Sequence, residues 1–277
     1  VKRISSVAII LLALLSLEGC GGDAQHPSFS TRLGRSIGLA DPPPPQTITV
    51  DVACDPSKDG TCTAEALDAT LAATLPVIAD RPGSELRLWI IGPDLASTKR
   101  AATVKGTVSL TGNAATVRAA KARFIEGART SCMTAAQPSL IAPLKGGSPI
   151  AEALTTIAMT NVHTDLRAIC IISDAREVST LGGDFECDDP LPNPLRFVKA
   201  LQRERVLPPG SLAGARVFFT FMTITEIHRK GCVETLDRLA TMRDLWTAAI
   251  EAAGGTTQFD TGVIDTAAIA PKQKGDA

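Results

Sequence analysis

The sequence predicts an α/β fold, a mainly parallel sheet with helices on both faces and one antiparallel edge strand, and three observations predict it. Leu166-Arg167-Ala168-Ile169-Cys170-Ile171-Ile172 has a continuous apolar core of β-formers and stops abruptly at Ser173-Asp174. That is how a strand buried on both faces reads. Arg216 to Thr223, RVFFTFMT, reads the same way. Helix-length segments separate these runs, and strands alternating with such helices call for right-handed crossovers and a sheet covered on both sides.

Taken in order, Thr47-Ile48-Thr49-Val50 leads into Asp51 as a first strand, followed by a polar loop ending near Thr63. Ala64 to Ala79 is a helix rich in Ala and Leu, and Glu85 to Gly92, ELRLWIIG, is the next strand. Ala102 to Leu110 alternates Val104, Gly106 and Val108 with polar neighbours, as an edge strand does. Ala114 to Cys132 is helical, with Arg and Lys spaced along a solvated face. Gly146-Gly147-Ser148-Pro149 opens the next helix, with a hydroxyl at the N-cap, Pro at the first helical position and apolar Ile150, Ala153, Leu154 and Ile157. After the central strand, a loop rich in Asp, Pro and Gly spans 175 to 193, then Leu195 to Arg205 forms a helix. Val233 to Ala253 is the longest helix expected. Gly254-Gly255 ends it before the short strand Thr257-Gln258-Phe259.

The start of the chain reads differently. Lys2-Arg3, the apolar run Val7 to Leu17, and Leu17-Glu18-Gly19-Cys20 have the basic, apolar and small-residue regions of a secretory signal over 1–19, too short to span a bilayer. The Leu-x-Gly-Cys ending resembles a bacterial lipobox, which implies lipidation of Cys20 and cleavage before it. A triacylated cysteine supplies the multiple chains that stable membrane attachment needs. Gly21 after the cysteine, by resemblance to enterobacterial sorting, implies the outer membrane. Residues 20–46 contain Pro42 to Pro45 and no amphipathic period, the composition of a tether ending in a polyproline II spacer. One α/β domain over 47–270 then accounts for the rest.

With 28 basic and 29 acidic residues the formal net charge is −1, which argues against nucleic acid as a partner. Eight Phe, two Trp and no Tyr leave the core to Ala, Leu, Ile and Val. His26, His163 and His228 are scattered, and there is no Gly-x-Ser-x-Gly elbow, no His-Glu-x-x-His pair and no phosphate-cradling loop after the first strand. These absences speak against an enzyme.

Ser148-Pro149-Ile150-Ala151-Glu152-Ala153-Leu154 and the strand ending Ile171-Ile172-Ser173-Asp174-Ala175 together resemble the von Willebrand factor type A (VWA) domain. In that family a Thr-Pro helix start precedes an apolar strand ending in Ser-Asp-Gly; here Ser replaces Thr and Ala replaces Gly. The resemblance implies a Rossmann-like sheet and a metal-ion-dependent adhesion site at its carboxyl edge. The family's first strand ends in D-x-S-x-S. The first strand here ends Asp51-Val52-Ala53-Cys54-Asp55, and a shifted register, Asp55-Pro56-Ser57-Lys58-Asp59, restores one Ser. Asp51 is preferred as the first ligand, because the shifted register leaves it inside a buried strand. The expected ligand set is therefore Asp51, Asp55, Ser148 and Asp174. Two like charges about 4 Å apart repel by about 4 kcal/mol at an effective dielectric of 20, so this cluster calls for a cation. Oxygen-only ligands suit Mg²⁺, with Ca²⁺ or Mn²⁺ as substitutes. The competing outcome is a relic site, neutralised by Lys58 or by a proton.

Apart from Cys20 there are six cysteines, an even number suited to disulfides in an exported chain. Cys54 and Cys62 flank one loop, and Cys187 and Cys232 lie on loops after neighbouring strands; both are expected pairs. Cys170, facing into a packed strand, is expected as a buried thiol, and Cys132 is left open. No Cys-x-x-Cys spacing supports zinc. The function expected is a lipid-anchored, non-enzymatic binding module of the bacterial envelope that holds a protein or peptide ligand at the sheet edge. An envelope hydrolase and a metal-free scaffold are the alternatives.

Overall fold

The computed structural model describes residues 46–57, 61–94, 96–142, 147–179, 183–185, 190–220, 236–260 and 264–269. The signal and tether residues, Cys20, Lys58, Asp59, Cys187, His228 and Cys232 lie outside the described residues. One compact unit, Pro45–Ala277, contains all the elements that follow.

Strand β1 (Ile48–Cys54) leads to helix α1 (Ala64–Ala79), then β2 (Glu85–Ile90), β3 (Lys99–Lys105) and α2 (Ala114–Ile141). Helix α3 (Ile150–Ala158) precedes β4 (Leu166–Ile172), the two-residue strands β5 (Val178–Ser179) and β6 (Gly183–Asp184), and α4 (Pro194–Arg203). The chain continues through β7 (Ala215–Thr220), α5 (Leu236–Ala252), β8 (Thr256–Asp260) and α6 (Thr266–Ile269). Six strands form one sheet in the order β3-β2-β1-β4-β7-β8. All pairings in it are parallel except β2 with β3 at the edge. The expected fold class is the observed one.

Period-two alternation sorts the strands between two apolar layers. Ile48, Val50, Val52 and Cys54 of β1, with Ala168, Cys170 and Ile172 of β4, pack on the side of α1 and α2. Ala53 of β1, with Ile169 and Ile171 of β4 and Val217 and Phe219 of β7, packs on the side of α3, α4 and α5. Trp246 of α5 is fully buried there against Phe197 and Phe219.

The edge strand and the helix after it differ from expectation for local reasons. The edge strand runs Lys99–Lys105 rather than 102–110, because Gly106 turns over the preceding loop, donating to Ser84 O and accepting from Gly83 N–H. A Cβ on Gly106 would meet Ile78 O at 2.7 Å, so the crossing is open to glycine alone. Helix α2 continues nine residues past Cys132 to Ile141, with Pro138 inside its last turn. Ala135 and Ala136, strong helix formers, carry it that far.

Candidate functional site

Strand β1 does not end at Asp51. Its ladder with β4 continues to Cys54 opposite Ile172, and Asp55 N–H still reaches Ile172 O at 3.1 Å. Asp51 is therefore a mid-strand residue with no exposed surface, and its placement at the carboxyl edge is corrected. Burial of a carboxylate there is made tolerable by three partners. Arg87, its register neighbour on β2, holds it with Nε 2.8 Å from Oδ1 and Nη2 3.0 Å from Oδ2. Arg167 of β4 adds Nε and Nη2 at 3.2 and 3.1 Å, and the Trp89 indole donates to Oδ1 at 2.8 Å. Arg167 also covers the C-terminal end of α3, donating to Ile157 O and Ala158 O, and Arg87 donates to Asn161 O in the loop that follows. Cations at that end also complement the helix dipole. Asp55 lies four residue steps beyond Asp51, a rise of about 13 Å along an extended strand.

The edge itself is built by the shifted register. Asp55 is buried directly after β1, and its Oδ1 accepts from Ser57 N–H at 3.1 Å while Oδ2 accepts from Ser173 Oγ at 2.9 Å. Burial pushes its carboxyl above the ordinary aspartate range, against the opposing pull of those hydrogen bonds and of the Ser148 hydroxyl. Ser148 Oγ donates to Ser57 Oγ at 3.1 Å. Asp174 follows Ser173 at the end of β4, buried at 7% exposure; its Oδ1 accepts from Arg176 N–H and its Oδ2 lies 3.7 Å from Arg176 Nε. Asp55, Ser148 and Asp174 are thus delivered to one sheet edge, with Ser57 and Ser173 added and Asp51 removed. The set is two carboxylates and hydroxyls; among the described residues no three His, Cys, Asp or Glu side chains group as a metal cluster. Hard oxygen donors of this kind fit Mg²⁺ or Ca²⁺ better than a soft metal.

Ser148 is not the helix cap it was expected to be. Pro149 occupies the cap position without a side-chain bond, and the orphan Ala151 N–H is taken by Glu177 Oε2 at 2.9 Å. This frees the Ser148 hydroxyl for the site. Ser148 O accepts from Val178 N–H at 3.1 Å, and Gly147 makes that approach feasible, since a Cβ would meet Val178 O at 2.1 Å. Glu177 is fully buried and Glu152 is at 2% exposure. Burial, then the neighbouring Glu152 charge, pushes the Glu177 carboxyl well above the ordinary glutamate range. Behind the site Glu177 is therefore disposed to keep its proton. Ala175, where the resembled motif has Gly, adopts a left-handed backbone with φ 63° and accepts from Trp246 Nε1 at 2.8 Å.

Cys54 and Cys62 form the expected disulfide, which closes the loop carrying Asp55 and Ser57. Cys132 and Cys170 are buried thiols; burial pushes Cys132 to about 11 and raises Cys170 further. His163 is exposed before β4, a solvated loop residue. Ser173 belongs to the Ser-Asp strand end noted above but not to the expected ligand set, and nothing in the local pattern of Glu177 singles it out.

No family profile and no curated protein matches the chain. Solved structures do. The PilB minor pilin from Streptococcus sanguinis is similar at TM-score 0.41 and 11% identity, over 84% of this chain and 60% of that chain. An aerotolerance-related membrane protein from Bacteroides fragilis gives 0.35 and 12%, over 80% and 94%. A von Willebrand factor type A protein from Catenulispora acidiphila gives 0.33 and 13%, over 82% of this chain and 40% of that one. The chain therefore spans less than two thirds of the pilin's length. The fold assignment itself rests on the strand order and pairing described above.

Proposed function

We propose that the chain is a lipid-anchored binding module of the bacterial envelope, holding a protein or peptide ligand through a divalent cation at the carboxyl edge of its sheet. The observation that carries this reading is that Ser148 and Ser173 join Ser57 and Asp55 by hydrogen bonds at the edge where the neighbouring strand ends in Asp174. Burial raises the Asp55 carboxyl, and a cation beside it would favour the ionised form. Mg²⁺ is the first choice, with Ca²⁺ and Mn²⁺ as alternatives. A bound Mg²⁺ keeps several water ligands and so leaves an open position for a partner's carboxylate. Ser57 and Ser148 orient one another, and Ser173 holds Asp55. Attachment through lipidated Cys20, to the outer membrane, is part of the proposal and draws on the Leu17-Glu18-Gly19-Cys20 sequence alone.

Thermal melts with millimolar Mg²⁺, Mn²⁺ or Ca²⁺ test the cation. An ion at a hundred times its Kd stabilises by about 2.7 kcal/mol. The wild-type midpoint should rise, and Asp174→Ala should lose the rise. A midpoint that moves with none of the three ions ends the cation reading. One observation favours a second reading, a metal-free scaffold: the Arg176 guanidinium already stands beside Asp174. With a proton on Asp55 it neutralises the edge without metal.

A further inference from the structure

Next to the carboxylate edge the surface sinks into a cavity of about 740 Å³ between the disulfide loop and α2. That lies within the range of ligand-holding cavities. Ser57, whose hydroxyl touches Ser148, is part of its wall, so the cavity and the edge share a residue. Met133, Leu140 and Ile141 line it from α2 at helical spacing, and Cys62 of the disulfide lines it from the loop. Ile141 is 73% exposed, and Met133 and Leu140 are only half-buried. The charged groups of the wall are Glu126 and Arg129, and the Arg129 guanidinium is held by both oxygens of Asp68. With Glu126 in the wall and the Arg129 charge offset by Asp68 outside it, the cavity offers an anion little and accepts neutral aliphatic groups.

We propose that this cavity is the side-chain pocket of the docking edge, receiving an aliphatic stretch of a partner polypeptide whose adjoining carboxylate reaches the cation at Asp55, Ser57, Ser148 and Asp174. It rests on the cation reading for its acidic half and on the cavity for its aliphatic half. Continuity through Ser57 is what favours one occupant spanning both.

The test is selection of displayed random peptides on the full chain in millimolar Mg²⁺, followed by binding of the selected peptides to two variants. Thr134 and Gln137 are exposed on α2 and line the cavity one turn apart, so Thr134→Trp and Gln137→Trp fill it without entering the core. Selection should enrich peptides in which Asp or Glu adjoins Leu, Ile or Met. Each Trp variant should weaken them by about tenfold or more while Mg²⁺ still raises its melting midpoint. No enrichment, enriched peptides without aliphatic residues, or binding unchanged in both variants would overturn the pocket. Failure of the cation reading is separately visible, as a wild-type midpoint insensitive to Mg²⁺ and aliphatic peptides selected without an acidic residue; it overturns the acidic half.

Discussion

Ser57 and Ser148 meet hydroxyl to hydroxyl at 3.1 Å although 91 residues separate them. That contact identifies Asp55, two residues before Ser57, as the first acid of the edge and Asp51 as a residue of the interior. Asp55→Asn should therefore abolish the rise in midpoint produced by Mg²⁺, while Asp51→Asn should keep the rise from a lower starting point. Parallel melts of both variants with and without the ion decide between the two registers. An Asp51→Asn protein that has lost the rise while Asp55→Asn retains it would restore the original choice.

Asp51→Ala takes from Arg87, at 1% side-chain exposure, its nearest carboxylate and leaves it only Glu85 Oε1 at 3.6 Å as a counter-charge. Loss of one partner from a buried ion pair costs about 3 to 5 kcal/mol. Urea unfolding should show a drop of that size, and a loss under about 1 kcal/mol would mean that the network is better solvated than its burial indicates.

Cys54 and Cys62 close a short loop, and on the chain-entropy account that closure contributes about 2 to 3 kcal/mol. Cys54→Ser with Cys62→Ser should lower stability by about this amount. It should also weaken the cation-induced rise, because Asp55 and Ser57 ride on the loop. Denaturant titration of the oxidised protein and the double variant, with and without Mg²⁺, separates the two effects.

Glu177 gives a pH dependence of definite sign. With its folded pKa raised, the native state keeps a proton that the unfolded chain has released above the ordinary glutamate range. Stability should fall as pH rises through that window. Glu177→Gln keeps an acceptor for Ala151 N–H and removes the titration. Its midpoint should change less than wild type between about pH 5 and about pH 8, and should be higher at the upper end. Equal slopes would move the proton to Asp55, the other carboxyl that burial raises.

The fold was legible because buried parallel strands leave a plain signature. Leu166–Ile172 is bounded as read, and Ala64–Ala79 is the helix expected. The site was legible only in part. Asp51 looked like a terminus because a carboxylate seemed too costly inside a strand, and the compensating Arg87 and Arg167 lie 36 and 116 residues away. The alternation Ile48, Val50, Val52, Cys54 did carry the right answer, since it continues unbroken past Asp51 to the residue before Asp55. Ser148 was read as a cap for a similar reason: the acceptor that replaces it comes from Glu177, 26 residues from Ala151. Long-range partners of this kind have no local trace.

The three-strand charge network sets a timetable for synthesis. Asp51 and Arg87 leave the ribosome close together, but Arg167 follows Asp51 by 116 residues. At roughly 5 to 20 residues per second, that is a wait of about 6 to 23 s. During it the first two strands of the sheet can pair through one guanidinium, with one flank of β1 still bare. A nascent chain stalled before β4 would expose that flank to other chains, so ribosome pausing between β3 and β4 is where aggregation of the newborn protein should concentrate.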